Sequence, residues 1–188
     1  MTPIITKDLI LRSLDVAHAH GAYAQWMLDP EVTRFLEVRF APPDATGLEA
    51  FIAKMNGSED DLLLGLFPRT KPQRHIGNIK LGPINQRHRS APIGIAIGAK
   101  DCWGRGFATQ AVTALSDYAF DALGLERLEA GFYADNEASQ RVFRHAGFVL
   151  EGRRRGGRLL NGIRTDEILM GRLRETPLEP HSLIPGEE

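Results

Sequence analysis

The stretch DCWGRGFATQ, from Asp101 to Gln110, sets Gly104 and Gly106 on either side of Arg105, immediately before a helical pattern. A helix N-terminus leaves backbone N–H groups without partners and carries partial positive charge. A preceding loop without side-chain bulk can turn those groups towards an anion, and Arg105 adds a full charge beside them. That chemistry suits a pyrophosphate. The same glycines also permit a sharp strand-to-helix corner that binds nothing. Two nucleotide fingerprints are excluded. Thr109 occupies the third position of G-x-G-x-x-G/A, and G-x-x-x-x-G-K-[ST] occurs nowhere in the chain.

Groups suited to proton transfer lie further on. Strand alternation puts Glu129 and Tyr133 on one face, where either could bind an amine directly or through water. An outward Glu129 on a half-solvated strand is the alternative. Glu37 could face the same acceptor from the N-terminal helices. Ser139 follows Asn136 by three residues, a spacing that also suits a helix cap. The run RRRGGR, Arg153 to Arg158, is the densest basic segment. It reads as a solvated hairpin or as a patch for an acidic or phosphorylated acceptor. The six histidines are scattered and His18-Ala19-His20 has no further ligands nearby, so no metal site is expected. Cys102 has no obvious activating base and reads as an incidental thiol.

Stepwise patterning supplies the elements that must hold these residues. Leu9 to Leu11 predicts a first strand, and Ser13 or Asp15 a cap for a helix running through Met27. Asp29-Pro30 and Pro42-Pro43-Asp44 start further helical segments, the second reaching Met55. DLLLGLF and HIGNIKLGPI predict a β-hairpin across RTKPQR. In APIGIAIG, Ala91 to Gly98, Ile93, Ile95 and Ile97 share one face while Gly94, Ala96 and Gly98 leave the other bare. Glycine inside a strand often marks close approach by another backbone or a ligand. Ala108 to Leu123 has helical spacing with Gly124 as its cap, followed by a strand from Arg127 to Ala134. A helix from Glu137 to His145, a strand from Phe148, an Asn161-Gly162 hairpin turn and a strand over Ile168 to Leu173 complete the order. The pattern is α/β in the α+β sense: one mixed, mostly antiparallel sheet flanked by helices on both faces. Residues 1–174 form one domain, and the proline-rich segment 175–188 is expected to be a mobile tail.

Bulk properties narrow the partners. The chain has 188 residues, 43% hydrophobic and 25% charged, enough for one domain with a full core. A net charge of -1 gives no general attraction to nucleic acid or anionic membrane, so neither DNA nor a membrane is an expected partner. The longest apolar run, Leu62 to Phe67, is far short of the roughly 20 residues a membrane-spanning helix needs. A single cysteine and no apparent secretory signal point to the cytoplasm.

Taken together, WGRGFAT (Trp103 to Thr109), NEAS (Asn136 to Ser139), GF (Gly147-Phe148) with EG (Glu151-Gly152), and TKDLILR (Thr6 to Arg12) resemble the GNAT superfamily of acetyl-CoA-dependent N-acetyltransferases. The RimJ/RimL-like branch is the nearest match, over about residues 6 to 174. The resemblance implies acetyl-CoA as co-substrate, without a metal. It assigns the cofactor pyrophosphate to the backbone of Arg105, Gly106, Phe107, Ala108 and Thr109, with Trp103 and Gly104 leading into that loop. It pairs the pantetheine arm with the strand at Ile95 and Ile97, and sets Asn136, Ser139 and Phe143 beside the cofactor.

Acetyl transfer to an amine then needs three things. The amine, with a pKa of about 10.4 for a lysine type, must lose a proton. The oxyanion needs donors, supplied by backbone N–H groups of the Gly94–Gly98 strand. The departing thiolate needs an acid. Many relatives supply that acid as a tyrosine where Phe143 stands, so Ser139 is the candidate here, with Glu129 and Tyr133 as further catalytic candidates. The branch often has Glu where Gln110 stands and Lys where His145 stands; Arg141 or Arg144 could replace the latter. The implied activity is direct transfer in a ternary complex, from a monomer or homodimer, to a protein N-terminus or to a small amine such as an amino-sugar nucleotide or polyamine. A non-catalytic acyl-CoA-binding module and a ribosome- or RNA-associated protein are the alternatives.

Overall fold

In the computed structural model, which describes residues 2–175, eight strands form one sheet. In chain order they are β1 (Ile4–Ile5), β2 (Leu9–Ser13), β3 (Leu62–Pro68), β4 (Gly77–Leu81), β5 (Ser90–Ile97), β6 (Arg127–Tyr133), β7 (Val149–Leu160) and β8 (Ile163–Leu173). The spatial order is β1-β2-β3-β4-β5-β6-β8-β7, and every pairing is antiparallel except the parallel β5–β6. The expected tail lies outside the described residues apart from Glu175. β3 is apolar almost throughout because it runs mid-sheet with both faces covered: six of its seven residues are buried.

Five α-helices accompany the sheet: α1 (Ala22–Leu28), α2 (Pro30–Thr33), α3 (Ala45–Asn56), α4 (Phe107–Asp121) and α5 (Glu137–His145). The connection from β5 to β6 joins parallel strands, so it must cross over the sheet, and α4 is that crossover. Its stripe of Ala111, Leu115 and Ala119 is fully buried, as residues four apart on one helix face must be. In α3 the same logic buries Leu48, Ile52 and Met55.

One expected element divides in two. The helix expected through Met27 is a short 3-10 turn, Val16–Ala19, followed by α1. Asp15 caps the turn by accepting from the Ala17 N–H, and His18 closes the box by accepting from the Asp15 N–H. Gly21, at φ 75°, then redirects the chain. The last hairpin is also longer than its apolar pattern indicates. β7 and β8 extend through polar residues to the Asn161-Gly162 turn, where both residues have positive φ.

Candidate active site

The site begins where two strands part. β5 and β6 pair only over Ser90–Pro92 and Arg127–Glu129. Beyond that point β5 stays on β4 and β6 stays on β8, leaving a wedge between them. Pro92 C=O accepts from Gly82, and the Gly98 N–H donates to Ile76 C=O, both on the β4 side. Backbone direction alternates along a strand, so Ile93, Ile95 and Ile97 turn their N–H and C=O groups into the wedge. Trp103 Nε1 donates to Ile97 C=O at 2.8 Å and ties the following loop to the strand end. The Ile93 N–H still donates to Glu129 C=O at the last paired position, which leaves the Ile93 C=O and both Ile95 groups without a partner across the wedge. This is a sheet edge able to accept one more extended chain.

The wedge leads to the glycine loop. Gly104 (φ 70°) and Gly106 (φ 76°) are left-handed, and a Cβ on either would meet nothing within 4 Å. These glycines are therefore required by backbone conformation and not by crowding. From Gly104 to Thr109 no backbone N–H has a partner among the described residues. Of the three helices with nine or more residues, α3 and α5 carry side-chain caps and α4 has none. Arg105 lies with its guanidinium 5.2 Å from the Phe107 ring centroid and pairs with no carboxylate among the described residues. Phe107 itself is buried, while Ala108 and Thr109 are half-buried on the first turn. Six successive free N–H groups beside an unpaired cation are the chemistry an anion site requires.

Across the wedge, Asn136 caps α5: its Oδ1 accepts from the Ser139 N–H at 3.1 Å. Ser139 therefore contributes its backbone to the cap and not its side chain. Its hydroxyl is half-buried and makes no hydrogen bond among the described residues. The Asn136 amide NH2 is likewise free. Phe143 lies in the core, 2% exposed, its ring 5.5 Å from Phe132 and 5.0 Å from Phe148. The ring is therefore taken up by interior packing, supporting α5 from below, and is not exposed to a cofactor beside that helix. Gln110 ties α4 to the β1–β2 turn through Thr6 and Asp8. Arg141 pairs with Glu137 on the exposed face of α5.

The bare face of β5 divides into two cases. Gly94 is open, since a Cβ there would meet nothing within 4 Å, whereas a Cβ on Gly98 would lie 1.9 Å from Trp26 Cδ2. Gly98 is glycine because the Trp26 ring packs on it. A cleft of about 520 Å³ opens on the Gly94 side, bordered by Pro92, Glu129, Gly131, Arg158 and Glu167. A larger cleft of about 680 Å³ borders Trp26, His75 and Lys100 but reaches neither Gly94 nor the start of α4. The smaller one meets the wedge and is the better candidate for the acceptor. Glu129 lines this cleft and Tyr133 does not: four residues of strand set them about 13 Å apart. Glu129 is exposed and accepts from Arg127 Nε at 2.9 Å.

Tyr133 is buried and donates to Glu37 Oε1 at 2.9 Å while Arg39 donates to its oxygen at 2.8 Å. Burial, then the bond to Glu37, pushes its phenol above the usual range, so it stays protonated at neutral pH. Glu37 also accepts from Arg158 at 2.8 Å. The basic run is solvent-exposed over Arg153 to Arg155, yet it is also ion-paired across the hairpin. Residues 154 to 158 of β7 oppose only 167 to 165 of β8, and this bulge brings both Arg154 and Arg158 to the buried Glu167. Arg153 pairs with Asp166. Arg39 and Glu167 carried no warning in the sequence, because only the β6–β8 register sets Glu167 opposite Tyr133.

Comparison with known proteins agrees with this architecture. Residues 8–149 match the family model described as an acetyltransferase (GNAT) domain. The chain is similar to the uncharacterized N-acetyltransferase YoaA of Bacillus subtilis, 34% identical over 155 residues, covering 81% of this chain and 86% of that protein. Its fold is similar to the crystal structure of spermidine N-acetyltransferase from Vibrio cholerae in complex with CoA and spermine (TM-score 0.79, 25% identity, 89% of this chain and 96% of that one). It is also similar in fold to RimL, the ribosomal L7/L12 alpha-N-protein acetyltransferase in complex with coenzyme A (TM-score 0.81, 21% identity, 92% and 98%).

Proposed function

The chain belongs to the acetyltransferase (GNAT) family and is an N-acetyltransferase using acetyl-CoA; from that premise we propose that its acceptor is a primary amine, acetylated by direct attack in a ternary complex on the Gly94 side of the wedge. One observation carries the reading. The free edge of β5, from the Ile93 C=O through Ile95, leads towards the six unpartnered N–H groups of Gly104 to Thr109. An extended pantetheine arm suits the first and a pyrophosphate the second. The V. cholerae relative's structure holds CoA and a polyamine together, which supports a shared donor and acceptor arrangement.

This chain's own residues would act as follows. Arg105 and the α4 N-terminus hold the diphosphate, and the free Asn136 amide donates to the cofactor arm. Ile95 N–H donates to the carbonyl oxygen as negative charge develops on it. Glu129, solvated and level with Pro92 in the parallel register, takes the amine proton through water. Ser139 hydroxyl, with no competing bond, donates to the departing sulfur. Tyr133 positions the acceptor side of the cleft together with Glu37. The RimJ/RimL-like reading rests on the WGRGFAT and NEAS motifs, and a cytoplasmic site of action on the lone Cys102.

Two measurements test the proposal. Acetyl-CoA at saturation raises the melting temperature by mass action, and a protein whose melting is unmoved would refute the assigned donor site. Labelled acetyl-CoA offered to lysate separated into proteins and small metabolites identifies the acceptor fraction, and label confined to hydrolysed acetate would refute amine transfer.

A further inference from the structure

The acceptor cleft is polarised along its length, and the polarity specifies what the amine carries at its other end. At the parting of β5 and β6, Arg127 faces two carboxylates. It donates to Glu129 at 2.9 Å and to Glu151 at 2.7 and 2.5 Å, so this end has one surplus negative charge. At the far end the balance reverses. Arg154 and Arg158 stand against Glu167 in the lining, one surplus positive charge, and beyond the lining Glu37 and Arg39 add one charge of each sign. Arg39 meets no carboxylate among the described residues; its guanidinium donates to Tyr133, Leu159 C=O and Arg34 C=O. Arg158 Nε is buried without a hydrogen-bond partner. Arg154 keeps a guanidinium largely open to solvent, its side chain 65% exposed, although one of its nitrogens is held by Glu167 at 2.5 Å. Lys80, the remaining cation of the cleft, is neutralised by Asp61 at 2.7 Å.

Charge complementarity then orients a ligand in one sense only. The amine lies at the Glu129 end, beside Gly94 and the free β5 edge, where transfer takes place. We infer that the acceptor is a zwitterion, an amine whose molecule also carries a carboxylate or phosphate that Arg154 and Arg158 receive at the far end of the cleft. Arginine is suited to this because its planar fork matches both oxyanions in a bidentate manner. A polycation threaded along the same path meets the arginine end unfavourably, and a neutral amine leaves it unused. The inference rests on the acceptor site proposed above and deepens it.

Matched amines long enough to span the cleft test it: 6-aminohexyl phosphate against 6-aminohexanol, 6-aminohexanoate against its amide, with spermidine as the polycation. Turnover with acetyl-CoA and thermal protection of the CoA-bound protein are both read. The anionic member of at least one pair is expected to exceed its neutral match about 10-fold in kcat/KM. Which pair shows it separates phosphate from carboxylate. Arg154→Gln should bring that ratio close to one by raising KM, with the CoA-induced melting shift unchanged, and Arg154→Lys should restore part of it. Glu167 keeps Arg158 in either variant, so folding is preserved. Preference for spermidine or for the neutral members overturns the inference, as does an unchanged ratio in Arg154→Gln. Neither turnover nor protection by any anionic member at millimolar concentration overturns it too. Loss of the CoA shift in the unmodified protein would instead refute the donor site itself.

Discussion

Replacing Gly106 by alanine separates the two meanings of the glycine loop. Gly106 sits at φ 76°, ψ 0°, immediately before α4, and a Cβ there meets no atom within 4 Å. The unliganded protein therefore loses only the conformational term for an L-residue in left-handed backbone, about 1 kcal/mol. For a domain of this size that lowers melting by roughly 2–4 °C. Ligand binding responds differently, because the methyl group projects where an anion must approach the N–H groups of residues 104 to 109. Displacing two charge-assisted hydrogen bonds of about 1.5 kcal/mol each weakens CoA by about 3 kcal/mol, or on the order of 100-fold in Kd. Gly162 supplies the control. It has φ 79° and equally open surroundings, but lies at the β7–β8 turn. Gly162→Ala should show the same loss of melting temperature with CoA affinity intact. Calorimetric titration of both variants with CoA decides the matter. If Gly106→Ala binds CoA as the unmodified protein does, the loop is a corner and the anion site must be sought elsewhere.

Five further outcomes are expected. Gly98→Ala should destabilise by about 1–3 kcal/mol, since its methyl would overlap the Trp26 ring, while Gly94→Ala should leave denaturant midpoints nearly unchanged and impair turnover. Asn136→Asp keeps the Oδ1 acceptor for Ser139 N–H but removes the amide donors, so melting should hold while CoA affinity falls; Ser139→Ala should slow turnover with little change in either, and a wild-type rate would transfer the acid role to water. His75 has its pKa lowered to about 4, chiefly by burial, so the unfolded chain binds its proton more readily than the native state does. Stability should therefore rise as pH increases through the window from about 4 to about 6.5, by up to roughly 3 kcal/mol. Denaturation of His75→Gln across that window should lack the slope, and an unchanged slope would assign it to other groups.

Much of the proposed donor site was legible in the residues because it is built from local backbone. Gly104, Gly106 and the helical spacing after them are contiguous, and so are Asn136 and Ser139. Their geometry follows from glycine's access to positive φ and from an uncapped helix start. The isoleucines of β5 were legible as a strand for the same reason. The identity of the free groups was not, since alternation alone leaves open which set of backbone groups meets β4 and which meets the wedge. The register at Pro92 and Gly98 decides that. Side chains misled where packing overrode pattern. Gly98 looked bare but is filled by Trp26, and Phe143 looked available but belongs to the core.

The acceptor side was the least legible, because nothing in it is local. Tyr133 and Glu37 meet across 96 positions of sequence, and Arg158 and Glu37 across 121. RRRGGR in isolation is a surplus of positive charge. A bulge in β7 and its pairing with β8 deliver two of those arginines to one buried carboxylate, leaving a cleft negative at one end and positive at the other. The residues alone set out the proposed acyl-donor cradle, because a phosphate cradle needs only consecutive backbone N–H groups on a turn that glycine allows. Only the tertiary structure decided how the acceptor's cleft is charged, because charges cancel or add by distance in space, and that distance is set by strand register.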